Sequence, residues 1–284
     1  MAKKLLNPLR IVQIRDLFSE REWDDYSITE NNTRFNNFCS SFGELEEKEF
    51  QLIMDLTRRF HTLTFVELLE EFFTGYYSVP ETIYSSSQHL IIVPMKKMRK
   101  NGYCVKRQKS GDMLMAQMMQ MDDICYYREK FIYCKNARAV ARHFNQGDVI
   151  CFIDDFVGTG GTFHDAYNST RAYLSTRGIH ISTNDVIGIT AWAMTQGINY
   201  CHSQGLRLFC YKRFIKEITD YYPAPENIAH KGRMLNIERE VCDNLPKYLH
   251  LGYGKCEALV SIAGRCANNT FPVYWKTKKA TFPR

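Results

Sequence analysis

The 284-residue sequence has no apolar run approaching the ~20 residues needed to span a bilayer, and no Cys-x-x-Cys pair among its ten cysteines. It has no histidine cluster at zinc-ligand spacing, no internal repeat and no low-complexity tract. These absences exclude a membrane-spanning helix, a zinc ribbon, a thiol oxidoreductase motif and a solenoid. The opening Met1-Ala2-Lys3-Lys4-Leu5-Leu6-Asn7-Pro8 carries charge but no apolar core, so a signal peptide is not expected. Acidic and basic residues nearly balance, at 31 against 37. That mild excess of +6 suits an anionic ligand without establishing nucleic-acid binding. Hydrophobic residues are not scarce: at 45% they rule out a disordered chain and supply a core for one large α/β domain with an extension, or two small domains. Several cysteines lie in apolar runs, as Cys151 does in Val149-Ile150-Cys151-Phe152-Ile153, which points to reduced, buried thiols in a cytoplasmic protein.

Periodicity divides the chain into three expected parts. Residues 1–80 read as an N-terminal helical extension, with amphipathic segments around Leu9–Phe18, Glu44–Phe60 and Phe65–Phe73. Residues 81–215 alternate strand and helix. Short apolar runs at His89–Pro94, Lys130–Cys134, Val149–Ile153, Val186–Trp192 and Leu206–Tyr211 are separated by helix-length segments, among them Asp112–Met121, Asn136–Phe144 and Phe163–Leu174. That order predicts a mostly parallel sheet of about five strands with helices on both faces. Residues 216–284 are less regular and are expected to form a C-terminal cap.

The chemistry concentrates between Val149 and Ala166. An unbroken apolar strand leads into Asp154-Asp155, then Phe156-Val157, then Gly158-Thr159-Gly160-Gly161-Thr162 at the start of a helix. Glycines let a backbone approach a ligand closely, and a helix start offers unpaired N–H groups and a positive dipole end. The threonines add hydroxyls, so the segment forms an anion cradle sized for one phosphate. No Lys-Ser or Lys-Thr follows the glycines, which excludes a Walker A loop, and the spacing fails the dinucleotide fingerprint. Two carboxylates beside the cradle would repel a bare polyphosphate, but they suit ribose hydroxyls as hydrogen-bond donors. The order of acids and loop therefore fits one ribose 5-phosphate laid across a strand end.

This segment resembles the phosphoribosyl pyrophosphate signature of type I phosphoribosyltransferases. The resemblance implies a phosphoribosyltransferase-like fold, with Asp154 and Asp155 as the catalytic acids facing the ribose hydroxyls. Thr159, Gly160, Gly161 and Thr162 would wrap the 5-phosphate, and Val157 and Gly158 would complete the loop. It also implies Mg²⁺ carried by the substrate, and a pyrophosphate loop after the first strand. Lys96, Lys97 and Arg99 would neutralise pyrophosphate there, unless that loop is merely solvated. Phe156 and Gly158 depart from the usual pattern. Lys109-Ser110-Gly111 is either a further phosphate contact or a helix start capped by Ser110. A helical front end, Lys109-Ser110-Gly111, the cradle and the closing Asn268-Asn269-Thr270-Phe271-Pro272-Val273-Tyr274-Trp275 are together similar to phosphoribosyltransferase-like effectors of bacterial anti-phage conflict systems, including retron-encoded ones. That similarity implies a protein or nucleoprotein partner.

Other residues admit structural roles. Met113, Met115, Met118, Met119 and Met121 suit core packing or an adaptable partner surface. His164, just after the loop, either reaches a ligand or lies on a helix surface, and Asp165 complements a helix dipole. Asn268–Thr270 would line an acceptor pocket or form a turn. The functional expectation is an enzyme acting at the ribose C1. The alternatives are a catalytically silent nucleotide sensor and an effector that applies the same pocket to a nucleotide within nucleic acid.

Overall fold

The computed structural model describes residues 7–23, 34–105, 110–120 and 126–277. The chain divides into two compact units, Met1–Thr64 with Ile215–Arg284, and Phe65–Phe214. The first contains helices α1 (Pro8–Glu20), α2 (Arg34–Phe42) and α3 (Glu47–Arg58) and strand β1 (His61–Leu63). The second runs α4 (Phe65–Tyr77), α5 (Glu81–Ser86), β2 (Leu90–Pro94), α6 (Ser110–Gln120), β3 (Phe131–Tyr133), α7 (Ala137–His143), β4 (Val149–Val157), α8 (Gly161–Ser175), β5 (Val186–Met194), α9 (Thr195–Ser203) and β6 (Arg207–Phe214). The chain then returns to the first unit with α10 (Glu226–Val241), β7 (Val260–Ile262) and β8 (Arg265–Cys266).

The first unit is held by aromatic packing and a small sheet. Asn7 accepts the Leu9 N–H at 3.0 Å and Pro8 opens α1 where no N–H is required. Phe18, Phe38, Phe42, Phe60 and Tyr274 are buried together, with Phe38 and Phe42 edge-to-face at 4.7 Å and Phe60 and Tyr274 at 5.0 Å. Strand β1 pairs in parallel with β7, which pairs antiparallel with β8, so the two ends of the sequence share one sheet. The three-part division expected from sequence therefore differs from the observed one, because residues 216–277 complete the core begun by α1–α3.

The second unit holds the five-stranded parallel sheet, in the order β3-β2-β4-β5-β6. Ile91, Val93, Ile150 and Phe152 pack with Ala137 and Val140 of α7 and Phe163 and Ala166 of α8. Every residue of β2 is buried, and the opposite face is covered by α6 and α4. That placement of α4 corrects the expected boundary at residue 80. Gly75 makes it possible: a Cβ there would lie 2.7 Å from the Thr190 carbonyl oxygen, so the helix backbone rides directly on β5.

Strand β4 outlasts β2. The two pair from Leu90↔Val149 to Pro94↔Ile153, while β4 stays paired with β5 through Val157↔Ala193. The expected end at Ile153 is the end of pairing on one side alone.

Replacing Gly75 with Ala is expected to cost about 1–3 kcal/mol through overpacking. Gly232→Ala, in an open position of α10, is expected to add about 0.5–1 kcal/mol through helix propensity. Urea denaturation checks both, and a Gly75→Ala variant as stable as the parent would contradict the close docking of α4.

Candidate functional site

The connection from β2 to β3 runs one way along the sheet, and β4, β5 and β6 follow the other way, so the strand order reverses between β2 and β4. Ligands of open α/β sheets bind outside the carboxyl ends of the strands at such a point. Asp154 and Asp155 occupy it, one and two residues past the last β2–β4 pair. Asp154 is 6% exposed, and its carboxylate accepts the Ser110 hydroxyl and the Asp155 N–H, the latter at 3.1 Å. Asp155 accepts the Phe156 N–H at 2.8 Å. Burial pushes the Asp155 carboxyl above the ordinary range, with hydrogen bonding from Ser110 and its neighbours pulling the other way.

Ser110 thus does more than begin a helix. Gly111 brings it there, since a Cβ on Gly111 would lie 2.5 Å from the Ile153 carbonyl oxygen and 3.3 Å from Pro94. The start of α6 is seated on the ends of both strands that border the crevice. Lys109 lies outside the described residues.

Immediately after β4, Gly158, Thr159 and Gly160 turn the chain into the 15-residue helix α8. Thr159 Oγ1 accepts the Gly161 N–H at 3.3 Å and tightens the turn. Gly160 caps the helix with φ of +80°, in the left-handed region. A Cβ on Gly160 would lie 2.8 Å from the Gly197 carbonyl oxygen and 2.9 Å from the Cys201 sulfur. Gly160 is therefore required by the fold whatever it binds. Gly161 is different: a Cβ there would meet only Thr159 Oγ1, at 3.4 Å. Thr162 is exposed in the first turn of α8.

Sequence reasoning missed Gly197. A Cβ on it would lie 2.4 Å from the Gly158 carbonyl oxygen, so its bareness lets α9 support the loop from below. The available signal was a glycine three residues beyond the end of the β5 strand, Thr195-Gln196-Gly197.

The basic loop after β2 separates into different roles. Lys96 is 2% exposed and forms an ion pair with Asp112 of α6, so its charge is balanced inside the protein. Lys97 is exposed and reaches Asp165, in the first turns of α8, at 3.2 Å. Arg99 and Lys100 are exposed on a turn with Gly102 at φ of +80°. The turn is docked, because the Met98 N–H donates to Ser169 Oγ of α8 at 2.8 Å and Arg138 of α7 donates to the Tyr103 hydroxyl at 2.7 Å. The loop therefore brings Lys97 beside the helix that follows the cradle.

The remaining candidates are structural in their contacts. The His164 ring lies 2.8 Å from the Asn168 amide and 3.0 Å from the Tyr200 hydroxyl, which holds it between α8 and α9. Met115 and Met118 are buried, Met119 is exposed, and Met121 lies outside the described residues. In the first unit, the Asn269 side chain donates to the Tyr253 carbonyl at 3.0 Å, Thr270 donates to the Val260 carbonyl at 2.9 Å, and Trp275 donates to the Thr270 carbonyl at 2.9 Å. The closing motif thus knits the C-terminal segment to itself. Among the described residues no group of three or more His, Cys, Asp or Glu is placed to hold a metal ion, and no helix is long and apolar enough to cross a membrane.

A family model described as PRTase-CE matches residues 32–284. The chain belongs to the PRTase-CE family. Its sheet unit is an α/β fold, a five-stranded all-parallel sheet with helices on both faces. Among solved structures it is similar to an orotate phosphoribosyltransferase from Aeropyrum pernix, at 14% identity over 50% of this chain and 68% of that one. The TM-score of that similarity is 0.26, and no argument rests on it. No curated protein matches.

A carboxyl whose pKa is raised by folding stabilises the protein relatively at low pH and costs stability once pH climbs through its folded-state pKa. Asp155→Asn is therefore expected to raise Tm at pH 7. The gain should shrink as pH falls toward the unfolded carboxyl range of about 4. Melts across that range check this, and a variant that melts lower at pH 7 would show that the charge is stabilising.

Proposed function

We propose that this PRTase-CE protein binds phosphoribosyl pyrophosphate, or a nucleotide carrying ribose 5-phosphate, and acts at the ribose C1. The observation that carries this reading is the juxtaposition at the strand-order reversal. An acid pair on β4, Asp154 buried and Asp155 half-buried, is followed within a few residues by a glycine–threonine turn that opens a long helix. The N–H groups of the turn and of the first residues of α8 would hold the 5-phosphate. Asp154 already accepts a hydroxyl, that of Ser110, which is the bond a ribose hydroxyl would make. Thr159, Thr162, Val157 and Gly158 would shape the turn around the phosphate, and Lys97 and Arg99 would face the pyrophosphate, with Lys96 fixing their loop through Asp112.

In the transfer, the bond from C1 to the pyrophosphate oxygen breaks with its electron pair leaving on pyrophosphate. An acceptor nucleophile then bonds to C1. Positive charge grows on the ribose and negative charge on the leaving group, so fixed carboxylates near the sugar and lysine near the pyrophosphate oppose each. The donor set suits Mg²⁺, with two hard carboxylate groups and neither His nor Cys beside them, and the ion would arrive on the substrate phosphates. When bound it would neutralise the leaving pyrophosphate.

The family match begins at residue 32 and so takes in most of the helical front end and the closing motif as well as the sheet unit. We extend the proposal to an effector of a bacterial anti-phage, retron-type system with a protein or nucleoprotein partner, on the resemblance carried by the helical front end, Lys109-Ser110-Gly111, the cradle and the closing Asn268–Trp275 motif.

Gly161→Val adds a side chain where the fold leaves room, and Thr159→Ala removes the hydroxyl that tightens the turn. Each is expected to weaken phosphoribosyl pyrophosphate binding at least about ten-fold, or ~1.4 kcal/mol, with little change in melting. Isothermal titration in the presence of Mg²⁺ reads this out, and full affinity in both folded variants would sink the cradle assignment. Pyrophosphate release with pooled bases then separates a transferase from a silent sensor.

A further inference from the structure

A second concavity lies in the sheet unit, away from the acid pair. The candidate site is at the carboxyl ends of the strands, whereas this cavity borders the other end of the sheet. Its Tyr76 ring lies 6.0 Å from Phe131, the first residue of β3. Its volume is about 620 Å³, within the range of pockets that take small molecules.

The lining is aromatic and acidic. Tyr76 and Tyr84 are buried and stacked at 4.7 Å, and form the inner wall. Tyr77 and Tyr126 are 42% and 72% exposed and meet edge-to-face at 5.4 Å, which makes a corner of two ring planes. Tyr127 completes the aromatic side with φ of +62°, an uncommon conformation for an aromatic residue. Hydrogen bonds hold these rings in place, among them that of the Tyr84 hydroxyl to the Tyr76 carbonyl at 2.7 Å. The Tyr76 hydroxyl donates to the Tyr126 carbonyl, and the Tyr127 hydroxyl donates to the Glu81 carboxylate at 2.8 Å. Glu81 and Glu129 both line the cavity, and no lysine or arginine does among the described residues. A neighbouring lysine shows what such a ring accepts. Lys130 Nζ stands 5.1 Å from the Tyr127 centroid while it donates to the Tyr84, Ser85 and Ser87 carbonyls at 2.9–3.0 Å.

Tyrosine faces carry negative quadrupole density, and a ring of them with carboxylates attracts a cation that is poorly hydrated. The same carboxylates repel phosphate, so a nucleic-acid strand stacking on these tyrosines is disfavoured. We propose that this pocket is a second ligand site, built for a small organic cation of the alkylated-ammonium class. The corner of Tyr77 and Tyr126 would receive the alkylated nitrogen, and Glu81 and Glu129 would supply the opposing charge.

The test uses the full chain and two probes. One is choline. The other is its uncharged carbon isostere, in which a tert-butyl group replaces the trimethylammonium. Titration followed by tyrosine fluorescence and calorimetry is expected to show saturable choline binding that weakens with salt, and no comparable binding of the isostere. Tyr126→Ala, at a largely exposed position, is expected to weaken choline about five-fold, the size of one aqueous cation–π contact. Glu81→Gln should reduce both the affinity and its salt dependence. An Asp154→Asn, Asp155→Asn variant should bind choline as the parent does, which places the ligand away from the acid pair. The proposal is overturned if choline does not saturate, if the isostere binds equally well, or if Tyr126→Ala and Glu81→Gln both leave choline affinity unchanged in folded protein.

Discussion

The candidate site depends on a mismatch in length between two neighbouring strands. β2 stops at a proline, while β4 runs four residues further against β5. Among the described residues no strand lies on that side of β4 past Pro94, so the next residues of β4 border a crevice while their backbone stays fixed by β5. Two aspartates occupy that ledge. A rigid strand rather than a loop therefore carries the acids, which is what a site needs if it must present charge in a set direction.

Holding charge there is costly, and the surroundings show how it is met. Asp154 is satisfied by the Ser110 hydroxyl and a backbone N–H, and the start of α6 is brought within reach by Gly111. The buried ammonium of Lys96 ties the loop after β2 to Asp112 on the same helix. The acid pair, the helix seated beside it and the basic loop are thus one electrostatic assembly. Burial still raises the Asp155 carboxyl, and a fold optimised for stability alone would not place it there. On the far side, Gly160 and Gly197 allow the cradle and α9 to approach at backbone distance.

Much of this was legible in the sequence because the relevant signals are local. Unbroken apolar runs such as Val149–Ile153 marked buried parallel strands, and β4 is indeed central in the sheet. The Asp-Asp and glycine–threonine segment marked the strand-to-helix turn. What was not legible involves contacts distant in sequence. The grouping of residues 215–277 with α1–α3 rests on β1–β7 pairing and on Tyr274 reaching Phe60. Helix α10 was missed because it buries only Met234, Ile237 and Glu238, too thin an apolar stripe to show a period. The burial of Lys96 could not be read from a run of basic residues, because its partner is 16 positions away and on another element. The role of Gly197 depends on α9 crossing beneath a loop nearly 40 residues earlier.

The most direct test of the central claim is a crystal structure of the protein with ribose 5-phosphate. The phosphate is expected on the N–H groups between Gly158 and Thr162. The ribose hydroxyls should face Asp154 and Asp155, with one of them replacing the Ser110 hydroxyl on Asp154. A phosphate bound elsewhere, with the Ser110–Asp154 contact undisturbed, would contradict the account.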